Sequence, residues 1–171
     1  MNFSAHARAR ARRYAMQALY QWDLSGTDLP VIRRQFLEAE DFSKTDQAYF
    51  VELLSKIPNQ VDIIDENIAE FIDRPLAQLD PVERAILRIG VYELLYRVDI
   101  PYRVSINEAV QLTRKFGAEQ GHAFVNGVLD KAAHKIRAAE CKLKTADAGN
   151  TSRASVFPGR HGKHGKKSHP V

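Results

Sequence analysis

Cysteine is nearly absent: Cys141 stands alone among 171 residues. That excludes an internal disulfide framework and any Cys-rich zinc site, and a reducing, cytoplasmic compartment fits such usage. Long apolar runs are missing too. None exceeds four or five residues, so no segment can span a bilayer and no membrane partner is expected. The N-terminus, MNFSAHARARARR, is basic but lacks the apolar stretch of a secretory signal. Glycines 90, 117, 121 and 127 are isolated, so no glycine-rich loop is present to cradle a phosphate. No serine sits in a nucleophile elbow, and Cys141 lies beyond the last apolar helix position with no assured partner. His161, His164 and His169 have the types but not the rigid scaffold of a metal site. The expectation is a protein that binds rather than catalyses, with no cofactor and no metal.

What is present is charge, unevenly placed. The net charge is +4, but residues 1–13 carry +4, residues 140–171 carry +5, and the stretch between them carries −5. An acidic body with two basic ends points to a polyanion met at the ends, leaving the body for another partner.

Apolar spacing is helical throughout, and no strand-length alternation competes with it. A first helix is expected from about Ala5 to Leu24, stopped by Ser25 and Gly26. Ala11, Ala15, Ala18, Leu19 and Trp22 form its apolar face, and Arg10, Arg13, Gln17 and Tyr20 fall together on the opposite one. A tyrosine there is either an amphipathic ring lying on the surface or a base-stacking platform flanked by phosphate-binding arginines. Pro30 suits the opening of a short second helix, with Ile32, Phe36 and Leu37 inward. Phe50, Leu54, Ile57, Val61, Ile64, Ile68 and Phe71 form a seam from about Thr45 to Ile72, which Pro58 should kink or split.

Asp80-Pro81-Val82-Glu83 carries agreeing signals for a helix start, and the following ILRIGVYELL is apolar on more than one face, as a central helix should be. Arg84, Arg88 and Arg97 on or near it should pair with local acids. Ser105-Ile106-Asn107-Glu108 reads as a second capping box, its helix closed by Gly117. The last helix is expected from about His122 to Ala139, with Phe124, Lys131 and Lys135 along one edge. From about Lys144 the composition turns to Gly, Ser, His, Lys and Pro, too poor in apolar residues to offset ordering entropy. The organisation expected is an all-α helical bundle over residues 1–143 and a disordered basic C-terminal tail over 144–171.

Four segments, RRYAMQALYQWDL, LDPVERAILRIGVYELLY, DIPYRVSINEAVQLTRKFGAE and FVNGVLDKAAHKIR, resemble the NusB family of bacterial transcription antitermination factors in order and spacing, over roughly residues 8–139. The resemblance implies two packed three-helix bundles. It further implies binding to boxA RNA of ribosomal RNA leaders together with the ribosomal protein NusE, within an RNA polymerase antitermination complex. By position, Arg8, Arg10, Arg12 and Arg13 take the place of the family's Arg-rich segment. Tyr20 corresponds to its RNA-facing tyrosine, with Gln17 beside it on the same helical face, and Phe124 corresponds to the aromatic of FVNG. Asn126 and Lys131 join the RNA contacts, and Glu83 takes the place of the acidic contact to the protein partner. Phe124 also suits plain core packing, and Glu83 also suits the capping box itself. A homodimer would hide the surface the RNA needs. The alternative is a helical protein-interaction adaptor whose basic ends only solubilise or localise it.

Overall fold

The computed structural model describes residues 4–151, with side chains through Asp147, and the described residues form helices and no strands. Met1–Ala138 make one compact unit, which holds seven of the helices. Ser4 opens α1 (Ala5–Ser25), its Oγ accepting from the Ala7 N–H at 3.2 Å. Gly26 ends it at φ 66°, the left-handed turn glycine takes without strain, with its N–H on the Trp22 carbonyl. The small residues Ala7, Ala11, Ala15 and Ala18 are buried, letting α1 lie close against α3 (Gln47–Asn59) and α5 (Pro81–Tyr96). Trp22 is half-buried at the rim of that face, under the Arg88 guanidinium.

The short α2 (Leu29–Ala39) buries Ile32 and completes a bundle with α1 and α3. The long seam is split, as Pro58 foretold. Helix α3 ends at Asn59, Gln60 leaves helical geometry at φ −113°, and α4 (Val61–Ala69) starts afresh against α5. Asp80 caps α5, accepting from the N–H groups of Val82 (2.9 Å) and Glu83 (3.1 Å).

Helix α5 is the central one. It meets α1, α3 and α4, and packs with α6 (Tyr102–Phe116) and α7 (Gly121–Ile136) as the second bundle. Gly90 makes the α5–α7 approach: a Cβ there would stand 2.8 Å from the buried Leu129 side chain.

Two expected boundaries are corrected. The second capping box is no cap. The Pro101 carbonyl accepts from Val104 and Ser105, so α6 begins one turn early, at Tyr102, and Ser105 becomes a buried interior residue. The last helix breaks at Arg137, whose backbone turns to φ −112°, ψ 38°. Its guanidinium is drawn inward instead, donating at 2.8–2.9 Å to the carbonyls of Glu93 and Leu94 in the last turn of α5 and of Arg97 and Ile100 just beyond it. A planar fork of five donors can serve several carbonyls at once, here including those of Glu93 and Arg97, which also accept from the Arg97 and Ile100 N–H groups.

A further helix, α8 (Ala138–Thr151), runs on past Lys144, where the tail was expected to begin. Residues 152–171, with the rest of the expected tail and its three histidines, lie outside the described residues.

Candidate nucleic-acid interface

The first turns of α1 separate the Arg-rich segment into two kinds of arginine. Arg12 faces inward, only 3% exposed, with Nε donating to Glu93 Oε2 at 2.8 Å and Nη1 3.9 Å from Glu108. The Tyr49 hydroxyl donates to the same Glu93 oxygen. Arg12 is therefore corrected from a phosphate ligand to a buried structural ion, because it lies on the face of α1 that meets α5. Arg8 is half-buried and reaches Asp46 at 3.7 Å and Asp99 at 4.0 Å.

Arg10, Arg13 and Gln17 are half-exposed on the outer face, and Tyr20 is 38% exposed. Arg10 donates to the Lys44 carbonyl at 3.4 Å and acts at longer range on Asp41, and the Arg13 guanidinium lies 5.2 Å from the Tyr14 ring centre. Neither is within ion-pair distance of a described carboxylate. The three arginines on or near α5 are matched, as expected. Arg84 pairs with Asp23 at 2.7 Å, Arg88 with Asp65 at 2.9 Å, and Arg97 with Glu52 and Asp99 at 2.9 and 3.0 Å.

Between α1 and α6 lies a groove of about 280 Å³, lined by His6, Arg10, Arg13, Glu108, Gln111 and Lys115 among others. Lys115 was not among the residues expected at the site. Its place in the last turn of α6, beside Arg114, reads in sequence as a cation complementing the helix dipole, which conceals that the fold sets it beside α1. Three cations from two helices against one carboxylate make this groove suited to phosphodiester oxygens.

A second groove, of about 330 Å³, forms between α7 and the segment joining α4 to α5. Phe124 is half-buried there, with the Arg74 guanidinium 4.9 Å from its ring centre, and Lys131 lies two turns along the same face. Arg84 holds the joining segment in place, donating to the carbonyls of Leu76, Ala77 and Leu79 at 3.2–3.4 Å. Arg74 is a second residue that the sequence did not suggest, since it lies outside every periodic helix. Asn126 is exposed and does not line this groove. Two residues along a helix from Phe124, it faces away, so the structure does not bring it to the aromatic.

Glu83 is also placed otherwise than expected. It is 5% exposed and sits beside Gly121 at the start of α7 rather than presenting its carboxylate outward. Burial, and then Asp80, push its carboxyl pKa up, with Arg74 opposing. A partner contact by this side chain as an exposed acid is thus not what the geometry offers. Among the described residues no group of His, Cys, Asp and Glu is arranged to hold a metal ion, and no helix is long and apolar enough to cross a membrane.

Comparison with known proteins shows the family and the fold. The sequence pattern of the NusB family matches residues 9–134. The transcription antitermination protein NusB of Nitrosococcus oceani is 51% identical over 140 residues, covering 82% of this chain and 94% of that protein. The NusB protein of Shewanella halifaxensis is 49% identical over 130 residues, covering 76% and 96%. Among solved structures, NusB of T. maritima superposes with a TM-score of 0.64 at 30% identity, over 74% of this chain and 89% of that one. A chain from a crystal structure of antitermination factors NusB and NusE in complex with dsRNA superposes with a TM-score of 0.69 at 28% identity, over 75% and 97%.

Proposed function

Since the chain belongs to the NusB family of transcription antitermination proteins, we propose that it binds boxA RNA of ribosomal RNA leaders together with NusE, and so supports ribosomal RNA transcription in the cytoplasm. The observation that carries this reading is the outer face of α1. Arg12, Arg84, Arg88 and Arg97 are each matched with a carboxylate, whereas Arg10 and Arg13 have none within ion-pair distance and lie on the same helix face as an exposed Tyr20. Phosphates take the cations, releasing counterions, and a splayed base takes the ring, which favours single-stranded RNA.

Phe124 with Arg74 and Lys131 forms a second aromatic-and-cation station, and Arg8 and Gln17 extend the first along α1. Asp62, Glu66 and Glu70 are exposed on and next to α4, a surface suited to a basic ribosomal protein. Two ligands held by one body bind cooperatively when their joint surface is larger than either alone, which is coupling rather than catalysis.

The test is an electrophoretic mobility assay with boxA RNA and with a scrambled RNA, each repeated with NusE present. The expected result is a preference for boxA that NusE strengthens. Binding of NusE with no RNA shift in either case would favour the adaptor reading. Within the same assay, Lys115→Ala should weaken boxA and scrambled RNA by similar factors. The plot of log affinity against log salt should flatten by about 0.7, the share of one single-strand phosphate. An unchanged slope would remove Lys115 from the path of the RNA.

A further inference from the structure

The start of α7 is built in an unusual way. Gln120, at the N-cap position, makes no side-chain hydrogen bond to the helix, and the first turn contains no acid. The Gly121 N–H turns back to the Ala118 carbonyl at 2.9 Å. What stands beside this end is the side chain of Glu83, reaching over from the first turn of α5. A Cβ added at Gly121 would run into Glu83 Oε1, and would lie 3.0 Å from its Cδ and 3.1 Å from the Thr113 methyl. The carboxyl group therefore occupies the space a side chain at residue 121 would fill. It lies at the N-terminal ends of two helices, its own α5 and the neighbouring α7.

We propose that Glu83 is a positioning residue for RNA recognition: its carboxyl group, by filling the space beside Gly121, seats the N-terminus of α7, and with it Phe124, three residues further on. The proposal rests on the reading of Phe124 as an RNA contact. Gly121 is the second half of the device, since only glycine admits the carboxylate at that distance. Thr113, fully buried at the end of α6, closes the third side, its hydroxyl donating to the Ala109 carbonyl at 2.8 Å. A protein partner that displaces or clamps the first turn of α5 would thereby also move the aromatic on α7. This gives a physical route by which one ligand changes the affinity of the other.

The experiment uses the full chain, boxA RNA and four variants: Glu83→Ala, Glu83→Gln, Gly121→Ala and Phe124→Ala. Fluorescence anisotropy should show affinity falling about five-fold in Glu83→Ala and in Gly121→Ala, while Glu83→Gln, which keeps the shape and an acceptor oxygen, stays near the parent. Combined with Phe124→Ala, neither Glu83→Ala nor Gly121→Ala should cost any further affinity, because both act through that ring. A loss that persists in the Phe124→Ala background would be general destabilisation and would overturn the proposal, as would an unchanged affinity in Glu83→Ala.

Amide hydrogen exchange without RNA supplies an independent reading. Exchange in the first two turns of α7 should speed up about ten-fold in Glu83→Ala while α1 stays protected. No change there overturns the seating of α7, whatever the RNA does. If exchange responds but the parent chain or Phe124→Ala shows no RNA effect, the seating stands, and it is the RNA reading of Phe124, and with it the recognition role of Glu83, that falls.

Discussion

Replacing Glu93 with alanine is expected to lower the unfolding free energy by about 3–5 kcal/mol, the cost of leaving one partner of a buried ion pair alone. Glu93 is 1% exposed and receives both the Arg12 Nε at 2.8 Å and the Tyr49 hydroxyl. Its loss strands a guanidinium at 4% side-chain exposure, with only Glu108, 3.9 Å away, as a second acid. The Tyr49 ring cannot replace the carboxylate, although Arg12 lies 5.6 Å from its centre. The Tyr49 hydroxyl is already held strongly in its protonated form, by burial first and by Glu93 next. Urea unfolding followed by circular dichroism checks this: the midpoint should fall with the slope unchanged. A double variant, Arg12→Met with Glu93→Met, should regain much of the loss, because it removes the charges together. If Glu93→Ala unfolds like the parent, the pair does not hold α1 to α5.

Tyr20→Ala should weaken boxA RNA binding by about 1–3 kcal/mol, the usual worth of a base stacked on an aromatic ring. It should do so with almost no change in the unfolding midpoint. The two outcomes separate because Tyr20 stands on the outer face of α1 while its neighbour Leu19 is 1% exposed in the core. Removing the exposed ring leaves no cavity, whereas a truncation at position 19 would. Tyr20→Phe should keep most of the affinity, since stacking uses the ring and not the hydroxyl. Equal affinity of Tyr20→Ala and the parent at fixed salt would take Tyr20 out of the RNA site.

The candidate site shows how far a helical wheel reaches. The wheel correctly put Arg10, Arg13, Gln17 and Tyr20 on one face, because side-chain direction along a single helix depends only on residues a few positions apart. The resemblance, read position by position, could not separate Arg12 from its neighbours. Its role depends on a carboxylate 81 residues away. Lys115 and Arg74 escaped for the same reason. Each looks locally like an ordinary helix-end or linker cation, and each matters through the helix that packs beside it.

The sequence by itself determined the helices, their apolar faces and most of their punctuation. Asp80, Pro58 and Gly26 act through backbone geometry and hydrogen bonds within one turn, so their effects are readable from neighbours alone. Only the tertiary structure decided which start signal was used, which arginines were buried and where Glu83 points. Ser105 could have capped a helix, but Pro101 started one a turn earlier, and packing then buried the serine. Glu83 could have faced a partner, but the approach of α7 at Gly121 took its carboxyl. The reason is common to all three: the signals within one turn leave a polar side chain more than one possible place, and packing against a distant helix decides between them, at Ser105 even leaving the buried hydroxyl without a hydrogen-bond partner.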